Sequence, residues 1–195
     1  IAAKEATPQM KKPYHQALWR RVGQACADYN MIEENDKIAV GLSGGKDSIT
    51  LLYILARIQK ISKVNFELVG VHVGMGWEVD LSPLKNFCQK EQITFYSENA
   101  QIAKIVFDAR AEKNPCSLCA KLRRGALNNI AKQLNCNKVA LGHHLDDAIE
   151  TLLLCMFYEG RFSCFKPKTY LDRKDITVIR PLVYVKEQTI KQVVE

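Results

Sequence analysis

The chain has 195 residues, 47% of them apolar, enough to bury one sizeable core, and none of its apolar stretches approaches the roughly 18 residues of a membrane-spanning helix. Its seven cysteines include only one tight pair and follow no leader-like segment, which speaks against a secreted disulfide framework and for a reduced cytoplasmic protein. A net charge of +7 favours a polyanionic partner such as nucleic acid over a membrane, without requiring one.

Residues 1–12 are polar and read as a lead-in, after which Tyr14, Ala17, Leu18, Val22, Ala25 and Cys26 recur at helical spacing up to Asn30. KIAVGL (37–42) reads as a buried strand, SITLLYILARIQ as the helix after it and NFELVGVHV (65–73) as a second strand. A helix over 82–91, the strand ITFYSE, a helix from Cys116 to Leu134, the strand KVALG (138–142) and a helix over 145–159 continue the alternation. The strand ITVIRPL and a helical start at Lys186 complete it. Strands alternating with helices of this length predict an α/β fold, an open, mostly parallel sheet with helices on both faces. Residues 1–30 form the lead-in and amphipathic helix, and 31–195 the α/β domain. The last helix-like run is still in progress at Glu195, so a further C-terminal part is expected.

The junction SGGKDS joins the first strand to its helix. Gly41, Gly44 and Gly45 let an anion approach backbone amides, and the helix starting near Lys46 offers unpaired N–H groups and a positive dipole end. Ser43 and Ser48 add hydroxyls, Lys46 a compensating charge, and Asp47 a ligand for a magnesium ion that phosphates would share. The spacing is not that of a Walker sequence. A tight strand-to-helix turn capped by serine gives the same pattern.

ALGHHLDDAIETLLL repeats the arrangement at another strand end, with Gly142, His143 and His144 at the turn and Asp146, Asp147 and Glu150 in the first helical turns. In an open parallel sheet such loops face one crevice and can share a ligand. Carboxylates at a helix N-terminus are also favoured whatever their function, and a capped turn accounts for the histidines equally well. No i, i+4 histidine pair supports a zinc site.

NPCSLCAKLRRGAL holds the tight pair, Cys116 and Cys119, at a helix start followed by Lys121, Arg123 and Arg124, a setting suited to metal ligation or sulfur chemistry. Two thiols do not complete a metal site. Cys26, Cys88, Cys136, Cys155 and Cys164 fall mostly in apolar runs and are expected to be buried free thiols. Arg180, before Pro181, could position a phosphate or RNA backbone, or be a surface arginine at a turn. With Lys121, Arg123 and Arg124, the residues Arg161, Lys166 and Lys168 are candidates for RNA phosphate contacts, interleaved with Phe157, Tyr158, Phe162 and Phe165, of which Phe157 is expected in the core.

SGGKDS after an apolar strand resembles the signature of the PP-loop ATP pyrophosphatases, whose sheet is Rossmann-like. The resemblance implies ATP as cosubstrate, with pyrophosphate held by Ser43, Gly44, Gly45, Lys46, Asp47 and Ser48, and magnesium on Asp47. GHHLDD resembles the second signature of the tRNA-modifying branch, which extends the nucleotide site to Gly142, His143, Asp146, Asp147 and Arg180. Together with CSLCAKLRRG, MFYEGR (156–161) and VIRPLVYV (178–185), the two loops are similar to the tRNA 2-thiocytidine synthetase (TtcA) family from about Arg21 to the last residue. That similarity implies a [4Fe-4S] cluster on Cys116, Cys119 and a third cysteine beyond Glu195, with Asp47, Cys116 and Cys119 as catalytic residues. It also implies tRNA as substrate, a sulfur donor such as a cysteine desulfurase, and compatibility with a homodimer. The chain departs from relatives at VHVGMGW (71–77), where an aspartate is common near the strand end and here Gly74 stands, with Glu78 and Asp80 later. A different thiolated nucleoside, a lysidine-type ligase or a non-catalytic metal-bearing nucleic-acid module are the alternative readings.

Overall fold

The computed structural model describes residues 12–104, 106 and 115–194; residues 1–11 of the expected lead-in lie outside them. The first strand, β1 (Asp36–Gly41), buries Ile38, Ala39 and Val40 completely, so side chains pointing both ways meet protein rather than water. β2 (Phe66–Gly74) and β4 (Lys138–Ala140) flank β1 in parallel, and this two-sided burial is why the strands read as unbroken apolar runs instead of alternating ones. β3 (Thr94–Asn99) pairs outside β2, and β6 (Ile176–Ile179) pairs outside β4, both parallel. The order across the sheet is β3-β2-β1-β4-β6-β5, the last being β5 (Lys168–Leu171).

Two layers of side chains cover the sheet. On one face, α1 (Lys12–Asp28), α2 (Lys46–Ile61), α3 (Ser82–Lys90) and α6 (Glu187–Val194) pack Leu18, Val22, Leu51, Leu55, Cys88 and Ile190 against Ile38, Val40 and Leu68. On the other, α4 (Pro115–Gln133) sets Leu127, Ile130 and Ala131 on Ala39, Val69 and Val139. α1 contributes to the main core through side chains that are fully buried, Leu18, Val22 and Ala25. At the amino ends of the strands, buried Lys138 is neutralised by Asp36 at 2.7 Å, and Asn137 Nδ2 donates to the other Asp36 oxygen at 2.7 Å. Opposite charges in contact make that burial tolerable.

The open, mostly parallel sheet expected from the alternation is present, and three features differ from the sequence reading. β5 was absent from it: this half-exposed edge strand runs antiparallel to β6 and lacks the apolar run that marks the central strands. Phe157 was expected in the core but is 78% exposed, because α5 (Leu145–Glu159) has no fully buried side chain and presents Leu153, Leu154, Met156 and Phe157 outward. Of the cysteines expected to be buried, Cys88 and Cys136 are, Cys26 and Cys155 are half-buried, and Cys164 is exposed, its thiol donating to Ala148 O. An apolar period on a helix reports one apolar stripe; it does not say what lies opposite that stripe.

Leu52, fully buried in α2 within the main core, tests the packing. Leu52→Ala is expected to lower unfolding free energy by about 2–5 kcal/mol in urea titration, with the slope of the transition unchanged.

Candidate active site

The chain leaves β1 toward β2 on one side and returns to β4 on the other, so the loops after β1 and β4 diverge at neighbouring strand ends. That reversal opens a crevice at the carboxyl end of a parallel sheet, where ligands bind in this class of fold. The crevice holds about 380 Å³. Its two loops touch: a Cβ on Gly142 would lie 3.2 Å from the Asp47 carbonyl carbon and 3.3 Å from both Asp47 O and Ser48 N. A side chain at 142 would force the two loops apart by a few tenths of an ångström, and glycine lets the second loop close fully on the backbone of the first.

The first loop is ordered by its serines. Gly44 takes φ +82°, a conformation costly for other residues, and Gly45 precedes the helix in an extended conformation. Ser48 Oγ donates to Gly45 O at 2.9 Å and accepts from the Ser43 backbone N–H at 3.3 Å, while Ser43 Oγ accepts from Gly45 N–H at 3.3 Å. No side chain caps α2. Its first amides therefore lack side-chain cap partners beside the crevice lined by Ser43, Asp47 and Ser48, which is the arrangement that attracts phosphate. Asp47 Oδ2 accepts from Lys46 Nζ at 3.3 Å; Oδ1, equally distant from Lys46, is sealed from solvent without a hydrogen bond of proper geometry.

The second loop is built differently. His144 caps α5: its Nδ1 accepts from Asp147 N–H at 3.4 Å, while Asp147 Oδ2 accepts from His144 N–H at 2.8 Å. This reciprocal capping box satisfies the start of α5 internally, so of the two helix ends at the crevice only that of α2 lacks a cap. His143 instead lines the crevice, with its ring 5.2 Å from that of Phe165 and its buried Nδ1 without a partner. Burial, and then the positive charge of Arg180, hold the His143 pKa below its ordinary value and keep the ring neutral at pH 7. Arg180 is only 8% exposed, packs its guanidinium 5.0 Å over the same Phe165 ring and donates from Nη1 to Lys166 O at 2.6 Å. It is a buried member of the second loop's support and not a surface arginine at a turn.

The third wall comes from α4. Ala120, Arg123, Arg124 and Leu127 line the crevice, while the exposed Cys116 and half-buried Cys119 lie in the first turns of the same helix and are not part of that lining. Among the described residues no group of three His, Cys, Asp or Glu side chains is assembled for a metal ion. Ser43, Asp47, Ser48, Gly142, His143 and Asp147 thus converge on one space, whereas Lys46 and Asp146 point to α6. Glu187, in the first turn of α6, lies 2.9 Å from Lys46 Nζ, and its own pKa is pulled down to about 2 by Lys191 and Lys46. Phe165 was expected among the aromatics that stack bases, whereas it packs against His143 and Arg180; Glu187 was not among the candidates of the sequence. An apolar residue in a loop and an acid at a helix start carry no signal of the partners that folding gives them.

A PP-loop domain model matches residues 14–195. The tRNA-cytidine(32) 2-sulfurtransferase of Geotalea uraniireducens is 43% identical over 174 residues, covering 87% of this chain and 68% of that protein. The chain belongs to this PP-loop family. The protein of the same description from Alcanivorax borkumensis is 44% identical over 177 residues, covering 89% of this chain and 62% of that one, so the chain spans about two-thirds of the length of such relatives. Among solved structures, the U34-tRNA thiolase NcsA from Methanococcus maripaludis with its [4Fe-4S] cluster superimposes with a TM-score of 0.73 at 26% identity, over 92% of this chain and 62% of that one. The NH3-dependent NAD synthetase of Campylobacter jejuni, at 13% identity and a TM-score of 0.56, shares the fold.

Two measurements address the crevice. Gly142→Ala should push the loops apart and weaken ATP binding on the order of tenfold in calorimetry, because displacement of a few tenths of an ångström falls on backbone. Since the folded state resists protonation of His143, the unfolded chain takes up that proton first as pH falls below about 6.5. This contribution to stability is present above that pH and is lost below it; His143→Gln should flatten the slope of unfolding free energy between pH 6.5 and 5 relative to the parent.

Proposed function

We propose that the protein is an ATP-dependent tRNA thiolase that converts a cytidine of the anticodon loop to 2-thiocytidine. The observation that carries this reading is the meeting, around one crevice, of an uncapped phosphate-binding helix start, the glycine contact of the second loop, and the wall that leads to Cys116 and Cys119. Its relatives' name and the thiolase neighbour support the same chemistry.

ATP is the cosubstrate. The C2 oxygen of cytidine attacks the α-phosphorus, the bond to the bridging oxygen breaks, and pyrophosphate departs. The amides at the start of α2 and the Ser43 and Ser48 hydroxyls receive the charge that gathers on it. Asp47 lines the crevice, and its Oδ1, 3.3 Å from Lys46 Nζ but without a hydrogen bond of proper geometry, suits a hard cation; a magnesium ion there would neutralise part of that charge. Adenylation is needed because a ring carbonyl oxygen is a poor leaving group, while AMP is a good one. Sulfide-level sulfur, delivered as hydrosulfide after a thiol reductant has given two electrons to a persulfide donor, then bonds to C2 with loss of its proton, and the C2–O bond breaks, releasing AMP.

The sulfur arrives at the start of α4, the helix that walls the crevice. Cys116 and Cys119, one helical turn apart and accessible, fit two ligand positions of a [4Fe-4S] cluster, which would need a further protein ligand that the described residues do not bring beside them. Such a cluster would supply a site for sulfur beside the activated base. A cysteine desulfurase is a donor of the right chemistry. Neutral His143 offers a hydrogen-bonding edge to the base, and Arg123 and Arg124 meet phosphate at the crevice wall. The exposed Lys121 and Lys166 extend the positive surface for tRNA, whereas Arg161 is paired with Glu159 and Lys168 with Glu33, and Tyr158 and Phe162 are exposed for stacking. No described helix is long and apolar enough to cross a membrane, and we place the reaction in the cytoplasm, in a protein able to act as a homodimer.

In the full-length enzyme, Cys116→Ser with Cys119→Ser should abolish 2-thiocytidine in tRNA nucleoside mass spectrometry while ATP binding persists. A product that survives this double change points to a ligase that attaches an amine and has no use for thiols. Turnover releasing ADP instead of AMP and pyrophosphate would overturn the adenylation.

A further inference from the structure

Each loop divides its polar side chains between two destinations. From the first, Asp47 lines the crevice while Lys46, its neighbour, is not part of the lining and reaches Glu187 Oε1 at 2.9 Å. From the second, Asp147 lines the crevice while Asp146 Oδ2 accepts the backbone N–H of Glu187 at 2.7 Å. The two outward-turned side chains, from loops that follow different strands, converge on one residue at the start of α6.

Glu187 is held firmly enough to act as a reference point. Its Oε2 accepts from Lys191 Nζ at 2.8 Å, which leaves Oε1 for Lys46 and fixes the carboxylate in one orientation. α6 itself is seated in the main core by fully buried Ile190 and by Val193. A second strap joins the backbone, where Leu145 N–H donates to Val185 O at 2.9 Å. The gap between the loops is thereby set from behind by a helix, and from the front by the Gly142 contact.

We propose that Glu187 is a positioning residue. The first turn of α6 brackets the two nucleotide loops and fixes their separation, with Lys46 and Asp146 serving that bracket while Asp47 and Asp147 serve the ligand. The functional consequence rests on the reading of the crevice as an ATP site; the mechanical one does not. Lys46 is the less obvious member, since a lysine in a phosphate-binding loop is ordinarily assigned to the phosphate. Here a carboxylate on each side already claims it.

Glu187→Gln in the full-length protein removes the charge and keeps the shape and the N–H offered to Asp146. Hydrogen exchange without nucleotide should quicken at the amides of both 43–48 and 142–147, with the melting temperature nearly unchanged. Faster exchange in neither loop, or in one only, overturns the bracket, and this readout stands even if the protein binds no ATP. In turnover, the KM for ATP should rise about fivefold, the worth of one partly exposed ion pair, with kcat little altered. Glu187→Asp, too short to reach Lys46, should behave as the glutamine variant does. Adding Lys46→Met to Glu187→Gln should cost nothing more. A further loss in the double variant would show that Lys46 holds phosphate directly, and tighter ATP binding by Glu187→Gln would show that the carboxylate competes with phosphate; either result overturns the assignment.

Discussion

The van der Waals contact between Gly142 and the backbone of Asp47 and Ser48 is the constraint around which the site is built. It exists because β1 and β4 are neighbours with connections that leave in opposite directions, and because nothing larger than hydrogen projects from residue 142. Widen that contact and the uncapped start of α2, the neutral His143 ring and the wall of α4 no longer address one ligand. A parallel sheet supplies the crevice through topology, and the glycine sets its width.

The two helix starts at the crevice show how similar local sequences are given different work. α5 closes on itself through the reciprocal bonds of His144 and Asp147, so its amides are satisfied before any ligand arrives. α2 begins at Gly45 without a side-chain cap, and its serines shape the turn instead of closing it. An anion therefore finds lower cost at α2, where it replaces water and no internal partner is displaced. His143 and Arg180, both packed against the Phe165 ring, then give the second loop stiffness with a neutral edge toward the crevice. α4 has a comparable division along its length: Leu127, Ile130 and Ala131 seat it on the sheet, while the turn before them carries Arg123 and Arg124 to the opening, with the cysteines nearer the helix start. Rigid burial at one end of a helix is what gives the reactive end a defined place.

The proposed chemistry asks for these features in sequence. A ring oxygen must be made into a leaving group and then displaced by sulfur before water reaches the activated carbon. In the proposed reaction, phosphate-binding amides and a base-facing histidine around a single crevice, with the thiols further along the helix that walls it, would keep the activated intermediate beside its acceptor and shorten the interval in which hydrolysis competes.

Much of the fold was legible along the chain because central strands buried on both faces must be continuously apolar and the helices covering them must carry one apolar stripe; KIAVGL and SITLLYILARIQ admit few other uses. SGGKDS and GHHLDD were legible too, since phosphate-binding turns need glycine and hydroxyl groups at fixed local spacing. The edge strand Lys168–Leu171, the exposure of Phe157, and the burial of Arg180 under Phe165 were not, because each depends on what folds opposite it. The sequence by itself determined the central strands, the helices that cover them, the two loops and the class of ligand such loops suit. Only the tertiary structure decided which side chain of each loop faces the crevice and which faces Glu187, because that choice is made by contacts between segments remote in the chain, and local periodicity carries no record of them.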